Sequence, residues 1–454
     1  MITDTEVTMQ HQREGVGCDL LVLGSGMAGM TAAATVAAKG AKVIVVEKAA
    51  TIGGSAALSG GYVWTCTSRG HMARNDDGDP RLHAVVVDEY PTLMDGFRAR
   101  GIDVHAPQRV LYGRGQQVDL LGHFKQTEMA VEAAGGHIVR ATETIEFTKS
   151  GRRVSGALTR HADGEMEVRA DAVLLATGGF QGSPELRAKL IHPAARDMVL
   201  RSNSTSSGDG LRLGVAAGGS NGGPNPGFYG HLLAHPVTAV TPAEFINFTQ
   251  YHSDHALLLN REGRRFVDES RADHASTQST LRQTGARALL VWDTRVQNSV
   301  AVVPPVAGAV SVDRFAMAIA AGARGVMLER LADIVAIASQ WGYAGACCHA
   351  TIDSYNAAMR MAPEAVAPAR EDNAIPLDRA PFYALEVQPA ITFSYGGLSV
   401  DENARVLDPA GQAVDGLFAA GADVGNIYRA GYGGGLALAG TFAIRAMRTL
   451  GYVT

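Results

Sequence analysis

A short run of glycines between an apolar segment and an alanine-rich segment constrains this fold more than any other feature of the sequence. Gly24, Gly26 and Gly29 form a G-x-G-x-x-G pattern after residues 19–23, which predict a buried strand, and before residues 27–39, which predict a helix. In such a turn the first glycine permits the bend, the second leaves room for a pyrophosphate and the third lets helix and strand pack closely. The helix N-terminus then faces the negative charge. The pattern predicts a phosphate-binding turn.

A carboxylate follows at the spacing that a bound dinucleotide requires. Residues 42–47 predict a second strand, and Glu47 ends it 23 residues after Gly24. A carboxylate at this place accepts hydrogen bonds from ribose hydroxyls and repels a 2′-phosphate. Strand, helix and strand together predict a right-handed βαβ unit that binds an adenine dinucleotide.

Three further patches of small residues favour FAD over NAD as that dinucleotide. Residues 53–61 offer flexible backbone N–H groups and two serine hydroxyls, which suit the pyrophosphate, ribitol and ring of an extended ligand. Residues 176–179 and 416–423 each contain small residues at the end of a predicted buried strand, where a flat ligand can lie close to the backbone.

Composition excludes several classes of partner. The 454 residues predict two or three domains, and Lys and Arg total 40 against 45 Asp and Glu, so no basic surface for nucleic acid is expected. A polar N-terminal segment and the lack of 18 consecutive uncharged apolar residues lead us to expect a cytoplasmic protein with no membrane span. Cys18, Cys66, Cys347 and Cys348 lack metal or haem spacing, so we expect buried thiols and no metal site.

The nucleotide-binding pattern is interrupted and then resumes. Residues 1–240 carry most of the motifs above, residues 241–375 carry none, and residues 376–454 return to strand ends rich in small residues. Within the middle segment, residues 328–341 and 350–361 predict helices. These boundaries predict a discontinuous α/β domain with a second domain inserted in it.

Longer motifs add a family resemblance. Residues 207–210 (S-G-D-G) are similar to a T-G-D-G motif, and residues 259–269 (L-N-R-E-G-R-R-F-V-D-E) are similar to V-N-R-E-G-x-R-F-x-x-E. With the glycine motifs in this order, the chain resembles the flavoprotein superfamily of succinate dehydrogenase and fumarate reductase over nearly its whole length. Residues 381–383 and 391–395 are most similar to the soluble ketosteroid- and tricarballylate-dehydrogenase-like branches.

The resemblance implies a Rossmann-like FAD-binding domain of the glutathione-reductase type, with an α+β cap domain over the flavin. Ala56 and Ala57 stand near the place where membrane-bound relatives carry a histidine bonded to FAD, so we expect non-covalent FAD. The expected cofactor-binding residues are Gly24, Gly26, Met27, Ala28, Gly29, Glu47, Lys48, Gly53, Gly54, Ser55, Ser59, Gly60, Gly61, Ala176, Thr177, Gly178, Gly179, Asp209, Gly421, Asp423, Leu436, Ala437 and Leu438.

Fumarate reductases of this superfamily clamp two carboxylates with histidines and arginines, and an arginine donates the proton. His235 lies in L-A-H-P, similar to their Q-A-H-P, and Arg271 lies in a segment one residue shorter than the one that carries their proton donor. Residues 392–397 and 430–435 replace the stretches that supply the clamping histidine and arginine, although Arg429 lies nearby. The resemblance therefore implies that the dicarboxylate clamp is mostly dismantled.

The C-terminal segment is more similar to the ketosteroid dehydrogenases. Residues 431–437 (G-Y-G-G-G-L-A) resemble T-Y-P-G-P-G-A, which implies that the Tyr432 hydroxyl and the Leu436 N–H bind a ketone oxygen. A phenol and an amide suit a carbonyl that becomes an enolate, although Leu436 stands where that family has a glycine. A second tyrosine acts as base in that family, and we favour Tyr395 because it precedes a glycine pair. The alternatives are Tyr229, Tyr251 and Tyr383.

These features together predict an FAD-dependent dehydrogenase of CH–CH groups. It would remove a hydride and a proton α,β to the carbonyl of a cyclic ketone or keto acid, and Arg271 and Arg429 could hold a carboxylate. One alternative is an FAD-dependent ene-reductase of the fumarate reductase type that acts on an unsaturated carboxylate. Another is a non-catalytic FAD-binding electron carrier. Because the sequence has no haem or iron–sulfur motif, we expect a small-molecule substrate and a separate electron acceptor.

Overall fold

Two large sheets organise the chain in a computed structural model that describes residues 16–224, 226–237, 241, 244–304 and 310–454. The strands are β1 (Val16–Leu23), β2 (Val43–Val46), β3 (Tyr62–Thr65), β4 (Gln108–Val110), β5 (Gly113–Gln117), β6 (His137–Val139), β7 (Glu143–Ser150), β8 (Arg153–His161), β9 (Gly164–Leu175), β10 (Val199–Leu200), β11 (Phe228–Ala234), β12 (Leu257–Leu259), β13 (Ala288–Asp293), β14 (Gly325–Leu328), β15 (Phe382–Ser394), β16 (Arg405–Leu407) and β17 (Ala413–Ala419).

Helices cover both sheets. They are α1 (Met27–Ala37), α2 (Arg69–Asn75), α3 (Pro80–Ala99), α4 (Leu120–Ala133), α5 (Pro184–Leu190), α6 (Asp209–Ala216), α7 (Phe245–Phe248), α8 (Asp273–Leu281), α9 (Thr294–Val296), α10 (Arg314–Ala320), α11 (Ile334–Gln340), α12 (Gly345–Met361) and α13 (Gly435–Thr449). No helix in the described part of the chain is long and apolar enough to cross a membrane.

The first sheet has the strand order β16-β17-β9-β1-β2-β6, and β7 and β8 extend it from β9. Strand β1 lies between β9 and β2 and is parallel to both, with Leu20 opposite Val43 and Ala172. Residues 20–23 are fully buried, as expected for a parallel strand covered on both faces. The predicted βαβ unit and the Rossmann-like α/β fold class are confirmed.

Alanine and glycine let α1 lie close to the sheet. Ten of its eleven residues are buried, and α1 packs against α4 and α13. A Cβ atom on Gly29 would overlap the carbonyl oxygen of Gly24, so only glycine allows this approach. The third glycine of the motif therefore has the packing role that the sequence predicts.

The second sheet has the order β10-β15-β13-β12, and β11 and β14 also pair with β15. Its core is separate from that of the first sheet and is centred on the buried strand β13, residues 288–293. Strands β10 and β11 precede residue 240, and β15 follows residue 375. The boundaries at 240 and 375 stay a prediction. Because β11 and β15 are its members, we propose an inserted unit that begins before β11 and ends after β15.

Two sequence expectations fail for identifiable reasons. The helix predicted over residues 328–341 begins only at Ile334, because Leu328 pairs with Phe382 as the last residue of β14. The expectation of buried thiols is wrong for Cys347, which is exposed, whereas Cys348 is buried. Successive helical residues point about 100° apart, so α12 turns one cysteine out and the next one in.

Candidate active site

A cleft with about 1260 Å³ of empty volume opens at the carboxyl ends of β1, β2 and β9. Ligands bind at this edge in open α/β sheets because the strand ends leave a crevice between the flanking helices. The predicted cofactor residues that line it are Gly24, Gly26, Met27, Ala28, Glu47, Lys48, Gly54, Ser55, Ser59, Ala176, Thr177, Gly178, Gly179, Asp209, Gly421, Leu436 and Leu438.

The glycines of the first turn differ in what surrounds them. Gly24 has a φ of +102°, and a Cβ atom there would overlap the Ala176 carbonyl oxygen. Gly26 lines the cleft, and a Cβ atom there would meet nothing closer than the Gly53 carbonyl oxygen at 3.9 Å. Gly24 therefore fixes the turn, and Gly26 leaves open the space that a pyrophosphate would occupy, which fits a dinucleotide.

Two buried carboxylates flank the cleft. Glu47 accepts hydrogen bonds from the Ser25 N–H at 2.8 Å and from the Ser25 hydroxyl at 2.6 Å. Asp423 accepts from the Thr177 N–H at 2.6 Å and from its hydroxyl, and burial raises the pKa of Asp423 to about 7. Lys48 pairs with Asp209 at 2.6 Å across the cleft wall. The hydroxyl and amide groups of an FAD ligand match this set of donors and acceptors.

Some predicted cofactor residues do not line the cleft but support the residues that do. Gly53 donates its N–H to the Ser25 carbonyl at 3.0 Å, and Gly61 has a φ of +74°. Asp423 lies behind Thr177 and Ala437 is buried inside α13. The predicted residues outside the lining are Gly29, Gly53, Gly60, Gly61, Asp423 and Ala437.

Tyr432 lines the cleft where α13 begins. Its hydroxyl oxygen accepts the Gly435 N–H at 2.9 Å, which leaves the hydroxyl proton free for another acceptor. Burial raises the pKa of Tyr432 well above its usual value, so the phenol stays protonated. Leu436 also lines the cleft, and its N–H belongs to the first turn of α13, where N–H groups have no acceptor within the helix. Both predicted donors thus lie at this end of the cleft.

Beside Tyr432 the second sheet contributes a group of ionisable side chains that we term the polar cluster. Tyr229 stacks on Tyr432 with the ring centroids 3.8 Å apart and the planes 16° apart. The ring of His231 lies 4.9 Å from that of Tyr229 and 5.3 Å from that of Tyr251. The members of the polar cluster are Arg201, Tyr229, His231, Tyr251, Asp273 and His274.

The His231–Asp273 pair is buried and directly hydrogen-bonded through His231 Nδ1. Burial lowers the pKa of His231 and outweighs the opposing effect of Asp273. Burial alone would raise the pKa of Asp273, but its interaction and hydrogen bond with His231 lower it overall. The pair is therefore a neutral imidazole that donates its Nδ1–H to an ionised carboxylate. Its Nε2 is then an acceptor.

The other residues predicted to be catalytic lie elsewhere. Tyr395 is buried and donates its hydroxyl to the Gly431 carbonyl at 2.8 Å, outside the cleft lining. His235 lies 3.3 Å from the Gln388 side chain in the second sheet. Arg271 and Arg429 are exposed at the surface. Of the residues predicted to be catalytic, the structure brings only Tyr432 and Leu436 to the cleft.

Among the alternative bases, Tyr229 and Tyr251 belong to the polar cluster. Tyr383 stacks on Trp292 at 5.5 Å in the core of the second sheet, so its ring serves packing. Sequence reasoning missed Arg201, His231 and Asp273 as site residues. The alternation of Tyr229 and His231 along one strand face could have indicated that the two side chains meet.

Comparison with known proteins identifies the family. A family model described as “FAD binding domain” matches residues 19–85 and 90–442. The chain belongs to this family, within the flavoprotein superfamily of succinate dehydrogenase and fumarate reductase, and the resemblance seen in the sequence is confirmed. It is an FAD-dependent oxidoreductase of the class that acts on CH–CH groups.

Individual relatives span both directions of that chemistry. Fumarate reductase (cytochrome) of Shewanella frigidimarina is 27% identical, covering 92% of this chain and 74% of that protein. 4-oxocyclohexanecarboxylate 2-dehydrogenase of Sinomonas cyclohexanicum is 25% identical, covering 96% of this chain and 92% of that protein. A solved 3-ketosteroid delta1-dehydrogenase of Sterolibacterium denitrificans shares the fold, with a TM-score of 0.75 at 16% identity over 95% of this chain and 99% of that chain.

Proposed function

We propose that this protein desaturates a cyclic ketone or keto acid between the carbons α and β to the carbonyl. The observation that carries the proposal is the free hydroxyl proton of Tyr432, whose oxygen already accepts the Gly435 N–H at 2.9 Å. A neutral phenol with a high pKa donates to a ketone oxygen and stabilises the enolate that forms as the α-proton leaves. The first helical turn, with the Leu436 N–H, supplies a second donor.

FAD bound in this cleft would supply the hydride acceptor for the β-carbon, and a separate electron acceptor would then reoxidise it. We propose that it is bound non-covalently. Ala56 and Ser55 line the cleft, and no histidine or cysteine is among the described residues that line it. The Gly26 surface and the Glu47 carboxylate support binding through the pyrophosphate and ribose.

The α-proton passes to the polar cluster. Tyr229 and Tyr251 both contact the ring of His231, so either phenol can accept the α-proton while it passes its own hydroxyl proton to the neutral imidazole of His231. The ionised Asp273 stabilises the imidazolium that results. Tyr395 is less suitable as base because the Gly431 carbonyl holds its hydroxyl proton. Tyr229 and Tyr251 remain alternatives for the base.

The reverse reaction, reduction of an unsaturated carboxylate, is the second candidate. It is supported by the 27% identity to a fumarate reductase and by Arg201, a buried arginine beside Thr392 at the cleft. Against a fumarate-type clamp, Arg271 and Arg429 are exposed. A purely electron-carrying protein has no use for a buried, hydrogen-bonded His–Asp pair in the polar cluster, so we rank it last.

We further propose that the enzyme acts in the cytoplasm on a small molecule. The described cysteines are free thiols, which are typical of a reducing compartment.

Anaerobic mixing of the oxidised enzyme with cyclic ketones, keto acids, tricarboxylates and steroids tests the function. We expect a cyclic ketone or keto acid to bleach the flavin absorbance and to yield the α,β-unsaturated product. If none does, while unsaturated carboxylates reoxidise the reduced enzyme, the direction is that of a reductase and the dehydrogenase proposal is wrong.

A further inference from the structure

Arg201 is a buried cation without an anionic partner. Only 8% of the residue is exposed. Its Nη1 donates to the Thr392 hydroxyl at 3.1 Å, its Nη2 to the Tyr251 hydroxyl at 3.4 Å, and its Nε has no partner. No carboxylate in the described parts of the chain pairs with it. Burying a guanidinium in this state is costly unless another group supplies the charge.

Other buried arginines of the described chain are better satisfied. Arg265 and Arg370 share the buried Glu269 at 2.5 and 3.1 Å. Arg314 donates to three backbone carbonyls, at distances of 2.8 to 3.3 Å, although its Nη2 has no partner in the described structure. In the described structure Arg201 has two hydroxyl partners, one through a long hydrogen bond, and its guanidinium lies 5.4 Å from the ring centroid of Phe245. The fold by itself therefore leaves the charge of Arg201 largely uncompensated.

The acid of the polar cluster does not fill this role. Asp273 Oδ2 binds His231, and Asp273 Oδ1 is itself buried without a partner in the described structure. The charge of Arg201 lowers the pKa of Asp273, yet the two side chains form no ion pair in the described structure. Because Nε has no partner there and Nη2 makes only a long hydrogen bond, the Nε and Nη2 edge of Arg201 has the donors to hold a carboxylate through two parallel bonds.

We propose that Arg201 binds a carboxylate of the substrate, so that the substrate is a cyclic keto acid rather than a neutral ketone. Thr392, which accepts from Arg201, lines the cleft together with Phe393 and Tyr432. On this proposal, a ring whose ketone accepts a hydrogen bond from Tyr432 directs its carboxylate to Arg201. This inference rests on the proposed dehydrogenation and names the substrate class for the same site.

Binding without turnover tests the inference. Cyclohexanecarboxylate, which has no ketone, is titrated into the oxidised holoenzyme and followed by the perturbation of the flavin absorbance. We expect Arg201→Gln to weaken binding about 100-fold, because a buried charge loses its partner, and Arg201→Lys to restore part of it. We expect the neutral cyclohexanecarboxamide to bind wild type weakly and to bind Arg201→Gln with the same low affinity. Arg330→Gln, at an exposed position of the second unit, binds like wild type.

Equal binding of cyclohexanecarboxylate to wild type and Arg201→Gln overturns the inference. The inference is also overturned if Arg271→Gln or Arg429→Gln weakens the binding of cyclohexanecarboxylate about 100-fold while Arg201→Gln does not weaken it. If Arg201→Gln does not retain FAD, the affinities of the wild-type enzyme for the acid and for the amide decide the question. If the amide binds as tightly as the acid, the site has no carboxylate anchor and the inference is overturned. A failure of every ketone and keto acid to bleach the flavin, with acid binding that still depends on Arg201, refutes only the proposed dehydrogenation.

Discussion

The two ends of the cleft are built from different kinds of groups. At the dinucleotide end, glycine backbone from consecutive residues forms the wall, with Gly24 held at a φ of +102° and Gly26 open to the cleft. At the other end, where we propose that the ketone binds, Tyr432 lines the cleft and the polar cluster lies beside it, with side chains from separate elements. His231 comes from β11, Asp273 from α8 and Tyr432 from the turn before α13.

This difference determines how each end should respond to substitution. Backbone N–H groups and turns are set by local conformation, so a single Cβ atom in the wrong place closes the dinucleotide end. Side chains that converge from distant elements can be truncated one at a time while the fold persists. Substitutions at the dinucleotide end should therefore remove FAD, and substitutions in the polar cluster should change turnover while FAD stays bound.

The largest effect is expected at Gly24. Gly24→Val places side-chain atoms on the Ala176 carbonyl oxygen and forces a positive φ on a β-branched residue, so we expect protein purified without FAD. The ratio of flavin to protein absorbance measures this. The control is Gly96→Ala in α3, where a Cβ atom meets nothing within 4 Å and helix propensity improves. Stoichiometric FAD in Gly24→Val would contradict the assigned role of this turn.

The next largest effect is expected at Tyr432. Tyr432→Phe removes one donor to the ketone oxygen, which lowers kcat by about 100- to 1000-fold. The flavin spectrum and FAD content should stay unchanged, because the ring still stacks on Tyr229. Tyr452→Phe, at a half-buried C-terminal position, serves as the matched control. Unchanged turnover in Tyr432→Phe would show that this hydroxyl has no part in the mechanism. It would also contradict the expectation that side chains at this end of the cleft control turnover.

Asp423, at the dinucleotide end, should make the stability of the folded protein depend on pH. Its pKa, raised to about 7 by burial, lies above the unfolded value, so the folded state binds the extra proton between about pH 4 and 7. Without FAD, wild type should therefore lose about 2–3 kcal/mol of stability between pH 5 and 8. Asp423→Asn should flatten that decline. Urea unfolding at both pH values measures it, with the exposed Asp415→Asn as control, and an unchanged decline in Asp423→Asn refutes the assignment.

The smallest effect is expected at Asp273, which positions His231. Asp273→Asn keeps an acceptor for the Nδ1–H but removes the charge that stabilises a protonated His231, so kcat should fall about tenfold. The pKa of His231, already lowered by burial, should fall further, and the acidic limb of kcat/KM should move to lower pH. Asp163→Asn at the exposed end of a hairpin is the control. A fall in kcat with an unmoved pH profile indicates a purely structural role.

The sequence predicts the dinucleotide end in detail because its signals are short-range. The apolar run before Gly24, the glycine spacing and Glu47 all lie within one βαβ unit, and the structure brings Gly24, Gly26 and Glu47 to the cleft. Tyr432 was found through its similarity to a ketosteroid-dehydrogenase motif, and it does line the cleft. The sequence did not separate Tyr395 from Tyr229, because both lie near glycines and only hydrogen bonding distinguishes them.

Sequence alone therefore determined the fold class, the family and the conformation of the turn that we propose binds the pyrophosphate, because glycine positions and apolar periodicity act over a few residues. Only the tertiary structure revealed Arg201, His231 and Asp273 as one group. Their meeting depends on the pairing of β11 with β15, where His231 lies opposite Ala390, and on the packing of α8 against β11. Pairings between segments so far apart in the chain are fixed by the burial of whole surfaces, which no local pattern records.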